Sequence, residues 1–190
     1  MPFELVVVGT SLGGLSALRV LLESLVEPFP VAIAVVQHRH KESGNLMSRY
    51  MQQYTTLPVL EAEDKDELLP GHVYVAPADY HLLVERGYMT LSVDEPVCFA
   101  RPSIDVLFES AADAYANRAI GVILTGANRD GTNGLARIKA CGGVAIVQDP
   151  ATAETGIMPQ AAIAATAVDA VLPLAEIAPY LVNLLSRVRS

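Results

Sequence analysis

Charge is scarce in this chain, and basic charge is scarcer still. Asp, Glu, Lys and Arg make up 18% of the 190 residues, below the quarter typical of soluble domains. Thirteen basic against 21 acidic residues leave a formal net charge of −8, with no basic run. Phosphate backbones and anionic lipid surfaces are held by clustered Lys and Arg, so this balance excludes nucleic acid and a charged membrane surface as partners. No apolar stretch is long enough to span a bilayer, and no charged leader with a small-residue cleavage site opens the chain. The expected setting is cytoplasmic, without membrane insertion. The two cysteines, Cys98 and Cys141, fall in no metal-ligand spacing. Cys141, directly before Gly142-Gly143, is expected as a small buried apolar residue. Internal repeats and low-complexity tracts are also lacking.

What the chain has in plenty is apolar residues, 52% of the total, enough to cover both faces of a sheet. Its length fits one domain, taken as residues 1–190. Continuous apolar runs at 3–8, 31–36 and 119–124 read as strands buried on both faces. Shorter strands are expected at 58–61, 72–75, 144–147 and 170–172. Helices are expected over 15–25, where apolar residues recur at three and four, over 43–54 as a polar helix, and over 103–115, 131–141, 159–165 and 175–188. Ser103 is placed to cap the helix over 103–115, with Asp105 in its first turn. Gly142-Gly143 closes the helix over 131–141. Segments 81–84 and 88–93 flank Arg86-Gly87 as a hairpin. The order predicts an α/β fold: a predominantly parallel sheet flanked by helices on both faces, with an antiparallel β-hairpin insertion.

Open sheets of this kind bind ligands beyond the carboxyl ends of their strands. The first long strand ends in Gly9-Thr10-Ser11-Leu12-Gly13, which fits a nucleophile elbow with flanking glycines that let the backbone turn sharply. The same letters also fit a dinucleotide fingerprint with Ser11 in place of the second glycine. Such a site needs an acid at the end of the next strand to hold the ribose. Gln37-His38 stands there instead, which removes the ribose partner and supplies a base. His38 and His40 could form half of a metal pair, but His72 and His81 have no matching spacing, so no metal is expected.

Asp130 follows the strand over 119–124 and opens the helix over 131–141, where an N-cap carboxylate stays ionised. Together these residues make a Ser-His-Asp set. Ser11 would attack a carbonyl, His38 would carry its proton, and Asp130 would orient the imidazole. The Leu12 backbone N–H is a natural oxyanion donor. The chain order Ser, His, Asp matches none of the three familiar hydrolase orders. A non-catalytic nucleotide- or phosphate-binding module is the alternative.

Several blocks occur in one order across nearly the whole chain. They are Gly9-Thr10-Ser11-Leu12-Gly13-Gly14, Val36-Gln37-His38, Leu69 through Pro77, Arg101 through Phe108, Gly121 through Gly131, Gly142 through Pro150, and Met158-Pro159. In these the chain resembles the catalytic domain of the chemotaxis protein-glutamate methylesterases. The resemblance implies hydrolysis of glutamate γ-methyl esters on the cytoplasmic helices of chemoreceptors, with deamidation of glutamines in many members. It maps the family triad onto Ser11, His38 and Asp130, and implies no cofactor. It also implies a receiver domain as regulator. The first strand begins at Phe3, so such a partner would be separate from this stretch, whether the chain stands alone or is one domain of a longer protein. Three positions depart from the family pattern: Leu12 where Thr is frequent, Ala127 where Met is frequent, and Ala100 where His is common. Ala127 would then serve substrate or oxyanion through its backbone. A receptor-docking relative without turnover is the further alternative. Arg101 is expected as a structural ion-pair partner for Asp105.

Overall fold

The computed structural model describes residues 3–187. Its main sheet is built from β1 (Leu5–Thr10), β2 (Ala32–Gln37), β3 (Val59–Glu61), β4 (Val73–Val75), β7 (Ala119–Ile123), β8 (Val144–Gln148) and β9 (Ala170–Leu172). All the pairings are parallel, in the order β3-β4-β2-β1-β7-β8-β9. The segments β5 (His81–Glu85) and β6 (Tyr88–Ser92) pair antiparallel around Arg86-Gly87 as a separate two-stranded sheet. The helices are α1 (Gly14–Glu23), α2 (Leu46–Met51), α3 (Ile104–Tyr115), α4 (Thr132–Ala140), α5 (Ile157–Ala165) and α6 (Leu174–Arg187). The architecture is the expected one: a parallel sheet between helices, with an added hairpin.

The strands alternate their side chains between two cores, which is why they read as continuous apolar runs. Leu5, Val7, Ala34 and Val36 pack with α3, α4, α5 and the hairpin. Val6, Val8, Ile33, Val35, Ile120 and Val122 pack with α1, α2 and α6. Strands β1, β2 and β7 are buried along their whole length.

Among the boundaries that differ from expectation, both ends of α2 do so for local reasons. The helix expected over 43–54 begins only at Leu46, because Gly44 takes a positive φ of 57° that no helix accommodates. Its C-terminal turn tightens into a 3-10 turn over Gln52–Tyr54. The expected end of the last helix, Val188, lies outside the described residues. The close of α4 follows the sequence signal: Gly142 has φ 85°, and the Gly143 N–H reaches the Ile138 carbonyl at 2.9 Å. That is the hydrogen bond of a Schellman cap.

Helices α3 and α4 pack very closely. A Cβ on Gly134 would lie 2.4 Å from the Phe108 Cβ and 3.1 Å from the Asp105 carbonyl oxygen. Neither neighbour is the end of a flexible chain, so a methyl group there would push the helices apart. Gly134→Ala is therefore expected to cost about 1–3 kcal/mol, the usual penalty for overpacking. Urea denaturation measures it, and an unchanged midpoint would show that the helix pair can yield.

Candidate active site

Ser11, His38 and Asp130 follow β1, β2 and β7, three neighbouring strands of the sheet. Strand pairing continues past the strand ends and draws their loops together. The His38 N–H donates to the Thr10 carbonyl at 3.1 Å, and the Ser11 N–H donates to the Thr125 carbonyl at 2.9 Å. The Thr10 hydroxyl adds a second bond to the Thr125 carbonyl, and the Thr125 hydroxyl donates to the Leu12 carbonyl.

The turn after β1 uses its glycines in different ways. Gly13 has φ 80° and makes the turn. Gly9 instead makes room for α3: a Cβ on it would lie 2.3 Å from the Ile104 Cγ2. Gly14 makes room for Gln37, whose amide Oε1 would lie 1.8 Å from a Cβ at that position. The Gln37 Nε2 donates to the carbonyls of Ser11 and His38, at 2.9 and 2.8 Å, and braces the two loops against each other. The residue that replaced the ribose-binding acid is thus a strut of the site.

The His38 ring bridges the other two side chains. Its Nδ1 lies 3.2 Å from the Ser11 Oγ, and its Nε2 lies 2.6 Å from the Asp130 Oδ2. Asp130 is fully buried. Its place in the fold differs from the expected cap of the helix that follows it. The carboxylate sits instead at the N-terminus of α3, 26 residues earlier in the chain. Oδ2 accepts the Ile104 N–H at 2.6 Å, while Oδ1 accepts the Asp105 N–H and the Ser103 hydroxyl, both at 2.9 Å. Ser103 also caps α3 in the expected way, through the Val106 N–H.

Burial alone would raise the Asp130 carboxyl, but the His38 hydrogen bond and the N–H groups of Asp105 and Ile104 outweigh it. The group lies below the ordinary carboxylate range and stays ionised. The adjacent Asp105 is also buried, and its Oδ1 accepts the Gly134 N–H at 2.7 Å, at the N-terminus of α4. Here burial prevails, and the nearby Asp130 charge adds to it, so the Asp105 carboxyl is raised. Arg101 does not pair with Asp105. Its guanidinium reaches Asp79 at 2.7 Å and the carbonyls of Val93 and Asp94, clamping the loop after β6. The guanidinium and Asp105 therefore serve different loops.

Cys98 lies beside the two carboxylates, with its Sγ 3.8 Å from the Asp105 Oδ2. Partial burial and the charges of Asp130 and Asp105 push its thiol up, away from thiolate. The Cys98, Asp105 and Asp130 ligand atoms lie within 4.8 Å of one another. The chemistry of this set does not suit a cation, since both Asp130 oxygens are taken by N–H and O–H donors at the positive end of a helix. The other cysteine, Cys141, is half-buried against the α4 side of the core.

Of the three clefts that His38 lines among the described residues, two border Ser11 or Asn128. One, of about 410 Å³, is lined by Ser11 through Ser16, Gln37 and His38. The other, of about 580 Å³, is lined by His38 through Lys41, Asp79, the 96–102 loop and Asn128. Leu12 is exposed, and among the described residues its N–H donates to no other group. Ala127 is exposed and lines neither cleft. Its neighbour Asn128 does, and reaches the imidazole: Asn128 Nδ2 lies 3.0 Å from His38 Nδ1. No chemical motif in the sequence marks Asn128. Its one signal was an Asn two residues before Asp130, the spacing at which an Asn side chain bonds its own main chain.

The family model described as CheB methylesterase matches residues 6–181. A putative protein-glutamate methylesterase/protein-glutamine glutaminase of Leptospira interrogans is 47% identical over 185 residues, covering 97% of this chain and 96% of that protein. A protein-glutamate methylesterase/protein-glutamine glutaminase of Anaeromyxobacter dehalogenans is 44% identical over 174 residues, and the chain spans 51% of its length. The crystal structure of the Thermotoga maritima CheB methylesterase catalytic domain superposes with a TM-score of 0.92 at 34% identity, covering 97% of this chain and all of that one.

The two buried carboxylates titrate with opposite consequences. Asp130 is lowered on folding, so its stabilising contribution is present above the unfolded carboxylate value and is lost as pH falls through the folded one. Asp105 is raised, so ionising it costs stability, and that cost grows as pH rises from the unfolded value, about 4, through the folded one. Asp105→Asn removes the second effect alone. Its melting temperature relative to wild type is expected to rise between about pH 4 and pH 7. A difference that stays flat over that range in thermal melts would refute the assignment.

Proposed function

Because the chain belongs to the CheB methylesterase family, we propose that it hydrolyses glutamate γ-methyl esters on methylated chemoreceptor cytoplasmic helices, and deamidates glutamines there. The observation that carries this reading is the chain of contacts Ser11–His38–Asp130, at 3.2 and 2.6 Å. In this proposal residues 1–190 act as one catalytic unit, and a receiver or other regulatory domain is a separate partner.

The Ser11 Oγ attacks the ester carbonyl while His38 Nδ1 takes its proton. The imidazolium so formed is held by the ionised Asp130 through Nε2–H. The free Leu12 N–H, next in the chain after the nucleophile, donates to the oxyanion. His38 then returns the proton to the departing methoxide, or to the amide nitrogen, which leaves as ammonia, when the substrate is a glutamine. Water, activated by the same imidazole, cleaves the acyl-enzyme. The cleft of about 410 Å³ around Ser11 falls within the range of small-molecule sites and has room for a glutamyl ester side chain.

The phosphate-binding alternative has a physical obstacle. A Cβ on Gly13 would lie 2.6 Å from the Glu154 Oε2, so a carboxylate already stands against the first turn of α1. An incoming phosphate would meet like charge there.

Ser11→Ala is expected to lower methanol release from methylated receptors by on the order of 10⁴-fold or more, and Asp130→Asn by about 10⁴-fold in a protein that stays folded. Radiolabelled methanol release and circular dichroism check both. Wild-type turnover in Ser11→Ala would end the triad reading.

A further inference from the structure

Asn128 holds the nitrogen that Ser11 needs. Its carboxamide is fixed at both ends, because Oδ1 accepts the Asp130 N–H at 3.0 Å and Nδ2 stands 3.0 Å from His38 Nδ1. The amide cannot be turned over, since Nδ2 would then face the Asp130 N–H, donor against donor. A carboxamide nitrogen only donates, so Nδ1 is the acceptor and the ring proton lies on Nε2, facing Asp130. The Ser11 hydroxyl, at 3.2 Å, aims at the same Nδ1. That nitrogen has one in-plane lone pair for two donors, and Asn128 is the nearer.

We propose that Asn128 is a positioning residue that latches the resting imidazole and must release it when Ser11 is deprotonated. Once Nδ1 takes the serine proton, its N–H faces the Asn128 N–H₂ group, and the contact turns from attractive to repulsive. Asn128 therefore favours the neutral ring and opposes its protonation. The latch sets the tautomer at rest and restrains Ser11 until substrate displaces the carboxamide into the adjoining cleft, which Asn128 already lines. The other charged and titratable groups around the ring act separately. Asp130 faces Nε2, Arg39 pairs with Glu61, Arg101 pairs with Asp79, and His40, Lys41 and Cys98 stand across the cleft. This inference rests on the triad reading above.

The test compares the wild-type protein with Asn128→Ala, Asn128→Ser and Ser11→Ala. Serine at 128 can still accept the Asp130 N–H but is too short to reach the ring, so it preserves the loop and removes the latch. The first readout is the ¹⁵N resonance of His38 Nδ1, which needs no substrate. It is expected to move in both Asn128 variants, where the Ser11 hydroxyl alone is left to donate to Nδ1, and to stay near the wild-type position in Ser11→Ala, where Asn128 still holds it. The reverse pattern would overturn the proposal by making Ser11 the dominant donor.

The second readout is the rate at which a small fluorophosphonate labels Ser11. Here the Oγ–P bond forms, fluoride leaves and His38 takes the proton. Without the latch, labelling on the alkaline plateau is expected to rise between about 2- and 10-fold, the worth of one ordinary hydrogen bond, and the acidic limb of the profile to move to higher pH. Restoration of the wild-type rate and limb by Asn128→Ser would reduce Asn128 to loop support and overturn the latch. Absence of labelling in the wild type would defeat the triad reading itself, a result distinct from failure of the latch.

Discussion

The Asp130 carboxylate is the constraint on which the site depends. It satisfies two main-chain N–H groups and a hydroxyl at the start of α3 and still holds His38. A buried charge is tolerated only when its oxygens are saturated with donors, and this one is saturated by a helix end. The arrangement is reciprocal. Asp105, in the first turn of α3, turns to the N-terminus of α4, which the Asp130 loop leads into. Each helix supplies or adjoins the carboxylate that settles the other's unpaired N–H groups. The close packing at Gly134 and the glycine clearances at Gly9 and Gly131, both against Ile104, follow from bringing these two helix ends together over β1.

Much of this was legible from the residues. Strands buried on both faces declare themselves as unbroken apolar runs, and Ser11, His38 and Asp130 could be placed at strand ends on one edge because parallel connectivity forces those ends to the same side. The helix that Asp130 serves was not legible. Asp-Gly directly before a helix is a strong local cap signal, and here it was outcompeted by a helix end 26 residues away. Capping across tertiary distance has no sequence period. The same limit applies to Arg101, whose neighbour in sequence, Asp105, is committed to α4, leaving the guanidinium to Asp79 across the loop.

Gln37 and Asn128 show another reason for the gap. Both are carboxamides, able to donate at one end and accept at the other, and neither belongs to a chemical motif. Gln37 ties the loops after β1 and β2 together; Asn128 ties the loop after β7 to the ring between them. Their partners are main-chain atoms and one imidazole nitrogen, which only a folded backbone brings into range. The electrostatics divide in a similar way. The negative formal charge was countable, but the opposite shifts of two adjacent buried carboxylates depend on the His38 ring, which bonds Asp130 and leaves Asp105 to burial and to its neighbour's charge.

The strand order carries a consequence of its own. Strands β1 to β4 lie together on one side of the sheet and β7 to β9 on the other, so the described residues divide into two halves joined in the main sheet through the pairing of Leu5–Gly9 with Ala119–Ile123. Ser11 and His38 belong to the first half, and Asp130, with the helices it organises, belongs to the second. The site is thus an internal interface in which neither half holds a complete set. Any force that parts the seam, from a wedging partner to local melting, would leave serine and histidine side by side while taking away the carboxylate that bonds the imidazole.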